Sequence, residues 1–326
     1  MVTKPEEFCL KNNKRRRFYI LKRKPKEKCR QMDPDFNHPG EPPLETMFNK
    51  TRLHHPISIK NQVALLMWAP FGLVLACIRF VSLFVVAMPL LGVFHEFDAE
   101  KYYWRYVMRL FGFVTHLKNR NYMGTAKEAP IIVCNHVTDL DGIAFFPIVH
   151  TNKSINLTTV FLKPLVNWAK ILHWPIRVVI RESDPTRKHL TREKLLEAFD
   201  DEKEEGRRLF ILTEGATTNG QVGLLQYNRF VFSLNRGIQP MCLRINPHIS
   251  INVDKPSKNM FPNLFWFFFC PYVTYEFTAL PVQYIGEDET PEQFAHRVQK
   301  MTADKLQIAC TSYSYKDKNK MKHVVR

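Results

Sequence analysis

Two short stretches hold residue types suited to proton transfer, and each directly follows an apolar run. The first is NHVTDLD, 135–141, in which His136 stands five positions before Asp141. On a regular helix such positions lie roughly 140° apart. The two side chains can meet if His136 sits in the turn that leaves a strand and Asp141 in the first turn of the next helix. Thr138 or Asp139 would cap that helix. A carboxylate on one imidazole nitrogen fixes the tautomer and leaves the other nitrogen to take a proton from a hydroxyl. The same residues also suit a purely structural turn, and spacing alone does not choose between the two. The second stretch is LTEGATTNG, 212–220, where Glu214 and Gly215 open a loop of hydroxyl-bearing and small residues. Backbone N–H groups of such a loop can hold an anion. Between the two, IRVVIRESD carries Arg177 and Arg181 on or beside a strand. Arginine suits bidentate phosphate binding, and a surface ion pair is the plain alternative.

Elements able to position these residues are legible around them. PIIVCN (130–135), IRVVIRE (176–182), RRLFILTE (207–214) and IQPMCLRI (238–245) read as strands. Helical patterns cover 99–114 and 190–206, the latter with Thr191 as N-cap and Gly206 at its end. A further helix at 290–307 opens with Thr290, Pro291 and Gln293, a capping box with proline at the first position. Phe294, Val298 and Met301 form its apolar stripe. Strands alternating with helices imply an α/β fold with a mostly parallel sheet flanked by helices. The aromatic block MFPNLFWFFFCPYV (260–273) suits an interfacial element or a buried strand or helix equally well.

Residues 63–94 form an apolar run interrupted only by Arg79, with Pro70, Pro89, Gly72 and Gly92 inside it. One span needs about 20 apolar residues. The run is too long for one straight span and too short for two. Two halves of about a dozen to sixteen residues, bent in the middle, fit a membrane hairpin. Lys50, Arg52 and Lys60 precede it and Lys101, Arg105 and Arg109 follow it, so both ends are expected in the cytosol. Arg79 must snorkel, pair, or lie near the interface. The expected organisation is a basic, largely disordered tail over 1–60, the hairpin over 61–96, an α/β domain over 97–310, and a basic, frayed tail over 311–326.

A formal charge of +16 points to anionic partners. Because the apolar run follows the basic tail at once, an acidic lipid surface is favoured over nucleic acid, with about 1 kcal/mol per Lys or Arg near that surface. The seven cysteines include no Cys-x-x-Cys pair, so neither disulfides nor a metal site is expected. The first long apolar run begins only after residue 60, so no secretory signal peptide is expected.

Taken in this order, NHVTDLD, VVIRESD and LTEGATT, with IQPMCLRI as a fourth block, resemble the motifs of the glycerolipid acyltransferase family over about residues 99–250. The resemblance implies His136 as general base and Asp141 as its orienting partner. It implies Arg181, Glu214, Gly215 and Thr217 as substrate-binding residues for the glycerol-phosphate end of the acceptor. No cofactor would be bound, and acyl-CoA would be co-substrate to a lysophospholipid or glycerol-phosphate hydroxyl. Over about 60–310 the chain is also similar to an acyltransferase-like, monotopic branch of the endoplasmic reticulum and lipid droplets. That branch implies a phospholipid membrane or droplet monolayer as partner, and degradation-machinery proteins as further partners. Thr213 stands where the family has Pro, and Ala216 where it has Thr. These departures keep a second reading open, a droplet scaffold with weak or absent catalysis.

Overall fold

The computed structural model describes residues 40–53, 58–83, 85, 106–145, 148, 154–158, 177–180, 188–200, 208–256 and 260–324. Its centre is a seven-stranded sheet built from β1 (Phe113–Lys118), β2 (Ile131–Cys134), β3 (Ser154–Thr158), β4 (Arg177–Ile180), β5 (Arg208–Leu212), β7 (Ile238–Pro247) and β8 (Val273–Ala279). The short strand β6 (Gly223–Leu224) pairs separately with β9 (Ala309–Cys310). The order across the large sheet is β1-β8-β7-β2-β5-β3-β4. Every neighbouring pair is parallel except β7 with β8. The mostly parallel α/β sheet is therefore the one expected from the alternation of elements.

All four residues of β2 are buried, as a central parallel strand with both faces covered requires. The two-residue period splits them between two apolar layers. Ile132 and Cys134 face one layer, and Ile131 and Val133 the other. The first layer contains α4 (Phe261–Phe269), whose Leu264, Phe267, Phe268 and Phe269 are buried. The aromatic block is thus largely a core helix, with Phe261 exposed at its start. The second layer contains α5 (Pro291–Leu306), which buries Phe294 and Val298. Its capping box forms as expected: Gln293 N–H donates to Thr290 Oγ1 at 3.3 Å, and Thr290 N–H to Gln293 Oε1 at 2.8 Å.

Helix α1 (Ile59–Ser82) begins at Ser58, whose side chain accepts from Asn61 N–H. It runs 24 residues through Pro70 and Gly72 without a break, so this arm is longer than the dozen to sixteen expected. At about 1.5 Å per residue it is long enough to cross a bilayer core. Two contacts explain its continuity. Gly72 lies where a Cβ would approach Phe269 to 2.6 Å, so its lack of a side chain serves close packing on α4. Arg79 donates to the carbonyl oxygens of Leu110, Phe268, Cys270 and Pro271. The one charge in the apolar run is thereby paired with backbone at the C-terminal end of α4, where the helix dipole favours a cation. The opposite face of α1 leaves Val63, Leu66, Phe71, Val74, Ile78 and Val81 exposed. The remainder of the expected hairpin, residue 84 and residues 86–96, lies outside the described residues, as do 1–39 of the basic tail.

Three further expectations differ. Phe113 and Val114 begin β1 although the helix is expected over 99–114; within that range 106–110 is helical and 99–105 lies outside the described residues. Gly112 ends that helix at φ +91°, and the β-branched Val114 and Thr115 pair with β8. Thr191 is no N-cap, because α3 spans Lys188–Asp200 and Thr191 is buried within it; Gly206 lies outside the described residues. Finally, parts of both expected tails that are described, within 40–53 and 311–324, pack on the domain. Leu44, Met47 and Phe48 are buried with Leu225 and Tyr313. Residues Tyr315–Val324 form α6, whose first turn is held by Asp317 accepting from Ser314 N–H and Oγ–H.

Candidate functional site

The parallel strands β2 and β5 end side by side, and the loops that leave their C-terminal ends carry the two motifs. In open α/β sheets ligands bind outside the carboxyl ends of the strands. Asn135 continues the ladder beyond β2: its side chain accepts from Leu243 N–H at 2.7 Å and donates to Leu243 O at 3.0 Å. The chain then turns at His136 and enters α2 (Asp141–Phe145).

Asp141 therefore sits in the first helical turn, and its Oδ2 lies 3.0 Å from His136 Nδ1. The carboxylate is fully buried and also accepts from Val137 N–H at 2.6 Å, Thr138 N–H at 3.0 Å and Thr138 Oγ–H at 2.6 Å. Thr138, not Asp139, supplies the capping interactions. An ionised carboxylate only accepts, so Nδ1 carries the ring proton and Nε2 is the basic nitrogen. The His136 side chain keeps 17% exposure, on a cleft that it lines. Burial opposes charging the ring. The Asp141 hydrogen bond and the charges of Asp141, Glu214 and Asp254 outweigh it, so the imidazole pKa is raised above its usual value.

The loop after β5 folds over this turn. Glu214 is buried; Oε1 accepts from His136 N–H and Oε2 from Leu225 N–H, both at 2.8 Å. Thr218 N–H donates to His136 O at 2.8 Å. Glu214 thus positions His136 through its backbone and does not line the cleft, whereas the resemblance implies contact with substrate. Burial pushes its pKa up to about 7 against the two N–H donors and the charges of His136 and Lys318. Gly215 takes φ +71° and lines the cleft together with Ala216 and Thr217. Arg181 lies outside the described residues, directly after β4, which points the same way as β2 and β5.

The cleft holds about 220 Å³. Sequence reasoning missed several of its residues. Asp254 and Asp139 both accept from Asn263 Nδ2 at 2.9 Å, and Asn263 Oδ1 accepts from Arg52 at 2.6 Å. Burial, reinforced by the like charge of Asp139, pushes the Asp254 carboxyl up to about 7 while Lys318 pulls it down. Tyr315, Lys318 and Asn319 of α6 form one wall. The sequence signal that could have found α6 is Ser314-x-x-Asp317, a capping-box pattern in an otherwise basic stretch. Among the described residues no group of three His, Cys, Asp or Glu could hold a metal ion.

This pairing of a carboxylate-fixed histidine with a Glu-Gly loop over its backbone accompanies clear sequence relatives. The chain is 28% identical over 283 residues to the lipid droplet-regulating VLDL assembly factor AUP1 of Danio rerio, covering 84% of this chain and 61% of that protein. The chain is similar to that factor along most of its own length. It spans about three-fifths of that factor's length. It is also 28% identical over 197 residues to the lysophospholipid acyltransferase LPEAT2 of Arabidopsis thaliana, covering 58% of this chain and 34% of that one. The glycerolipid-acyltransferase resemblance is therefore present in aligned sequence as well as in the motifs. The crystal structure of the 1-acyl-sn-glycerophosphate acyltransferase PlsC from Thermotoga maritima aligns with a TM-score of 0.46 at 13% identity, over 76% of this chain and 96% of that chain. No family model matches.

Proposed function

We propose that the protein sits on the cytosolic face of endoplasmic-reticulum and lipid-droplet membranes and transfers an acyl group from acyl-CoA to a lysophospholipid or glycerol-phosphate hydroxyl. The observation that carries this reading is the 3.0 Å contact between His136 Nδ1 and the buried Asp141. With Nδ1 so held, Nε2 takes the proton of the acceptor hydroxyl as its oxygen attacks the thioester carbonyl. Collapse of the tetrahedral intermediate breaks the C–S bond, and the imidazolium returns the proton to the leaving thiolate. The relatives' names support the setting: one is called lipid droplet-regulating and another a lysophospholipid acyltransferase. The exposed apolar face of α1 supports contact with a lipid surface. The test is acyl transfer from labelled acyl-CoA to a panel of lysolipids with His136→Ala measured in parallel. Turnover that survives this substitution overturns the mechanism.

A specific observation favours a second reading, a droplet scaffold acting in lipid storage and protein degradation without turnover. Thr213, in place of the family's proline, leaves its buried hydroxyl without a hydrogen-bond partner among the described residues, and Ala216 presents no hydroxyl to the cleft. That reading predicts no turnover, and droplet number and partner binding unchanged by His136→Ala.

A further inference from the structure

We propose that Lys318, on the C-terminal helix α6, is the cation that receives the phosphate of the lipid acceptor in the His136 cleft. The proposal rests on the reading of this cleft as a lysophospholipid site, and it adds a residue from a part of the chain that none of the motifs covers.

Lys318 is 3% exposed, unusual for lysine, and it lines the same cleft as His136. Its ammonium donates to both the carbonyl oxygen and the hydroxyl of Thr217, and lies 4.7 Å from the centre of the Phe48 ring. Phe48 belongs to the N-terminal segment, Thr217 to the Glu-Gly loop and Lys318 to the C-terminal helix. Three distant parts of the chain thus fix one cation at the wall of the cleft. A charge held this rigidly loses little freedom when a ligand arrives, which favours affinity. Tyr315 lies above Gly215 on the same helix face, so α6 closes the cleft over the loop.

The cleft carries charge of both signs: Lys255 lines it beside Lys318, and so do Asp139 and Asp254, which would repel a phosphate. Both are drawn to Asn263, and the charge of Lys318 reaches both Asp254 and Glu214. A buried cation facing a cleft with a general base offers a phosphate the charge-assisted contact that a neutral acceptor cannot use.

The experiment measures binding of lysophosphatidic acid and of monoacylglycerol with the same acyl chain, both in detergent micelles, to the full chain. Wild type, Lys318→Met and Lys318→Arg are compared, with thermal melts of each. Lys318→Met is expected to weaken lysophosphatidic acid binding about tenfold or more, the scale of a hydrogen bond to a charged group. Monoacylglycerol binding stays unchanged, and Lys318→Arg restores most of the difference. Equal loss for both ligands, or loss for neither, overturns the proposal. Should Lys318→Met fail to fold, the Nζ resonance of Lys318 in lysine-labelled wild type decides. It moves with lysophosphatidic acid and not with monoacylglycerol, and an unmoved signal at saturation overturns the proposal. Acyl transfer is scored separately. Absent turnover with Lys318-dependent binding removes the catalytic reading alone, whereas turnover with binding indifferent to Lys318 removes this proposal alone.

Discussion

Glu214 Oε1 accepts the backbone N–H of His136 across 2.8 Å, joining residues 78 positions apart. The other backbone polar atom of His136, its carbonyl oxygen, is met by Thr218 N–H from the same loop. The histidine is therefore clamped by its main chain while its ring is oriented by Asp141. Glu214→Gln tests this role. A glutamine side chain has one accepting oxygen, so its NH₂ must oppose the N–H of either His136 or Leu225. We expect a loss of roughly 1–3 kcal/mol, read as a lower Tm, together with impaired turnover. A Glu214→Gln protein as stable as wild type would show that the carboxylate acts elsewhere.

Chemistry and architecture separate at the next pair. His136→Ala removes a partly exposed ring and should lower Tm less than Asp141→Ala does, while turnover falls about 10²–10⁴-fold, the usual range for general-base catalysis. Asp141→Ala removes the acceptor of the buried Val137 and Thr138 N–H groups and should also cost roughly 1–3 kcal/mol. Parallel melts and single-turnover assays check the contrast. Equal Tm losses in the two variants would contradict it.

Three groups beside the cleft have pKa values raised in the folded protein: His136, Glu214 to about 7 and Asp254 to about 7. Each binds its proton more tightly folded than unfolded. The stabilisation from Glu214 and Asp254 is therefore complete below the unfolded carboxylate range, near pH 4, and is lost as pH rises through about 7, while that from His136 is complete below the unfolded imidazole value and is lost above it. Thermal melts should show Tm falling from pH 5 to pH 8. Asp254→Asn, which keeps the oxygen that accepts from Asn263, should flatten that fall. A wild-type Tm that rises across the interval would reverse the sign of this argument.

How far these features could be read in advance depended on how local their causes are. The strands around Ile131 and Leu209 and the cap at Thr290 follow from short-range patterning, so they were legible. The His136–Asp141 contact followed from one turn, because its geometry needs only a strand end and a helix start. The wall formed by Lys318 was not legible, since lysine in a basic stretch reads as solvated until tertiary packing buries it. The same holds for Phe48 and Arg52, which lie in a segment whose composition resembles a tail. Thr191 misled because a hydroxyl residue before an apolar stripe suits a cap, while burial against the sheet lets α3 begin earlier. Glu214 was found from its motif, but its role through the His136 backbone lay in a contact between distant loops.

Arg79 supplies the last prediction, because it converts an apolar helix into a docked one. Its guanidinium meets four carbonyl oxygens, of Leu110, Phe268, Cys270 and Pro271, and Gly72 lets α1 approach Phe269 on α4. Hydrogen bonds to a charged group contribute roughly 1.5–3 kcal/mol each. Arg79→Leu suits lipid better than arginine does, so a helix held only by the membrane would be unaffected or improved. A helix held by the domain would instead detach. We expect Arg79→Leu to raise amide hydrogen exchange at the α4 C-terminus and in residues 106–112, which α1 covers. Arg79→Lys, with the charge kept and fewer donors, should fall between the two. Gly72→Leu should act like Arg79→Leu, since its side chain would overlap Phe269 and Trp68. Exchange at these segments unchanged in both Arg79→Leu and Gly72→Leu would mean that α1 is held by lipid and not by α4.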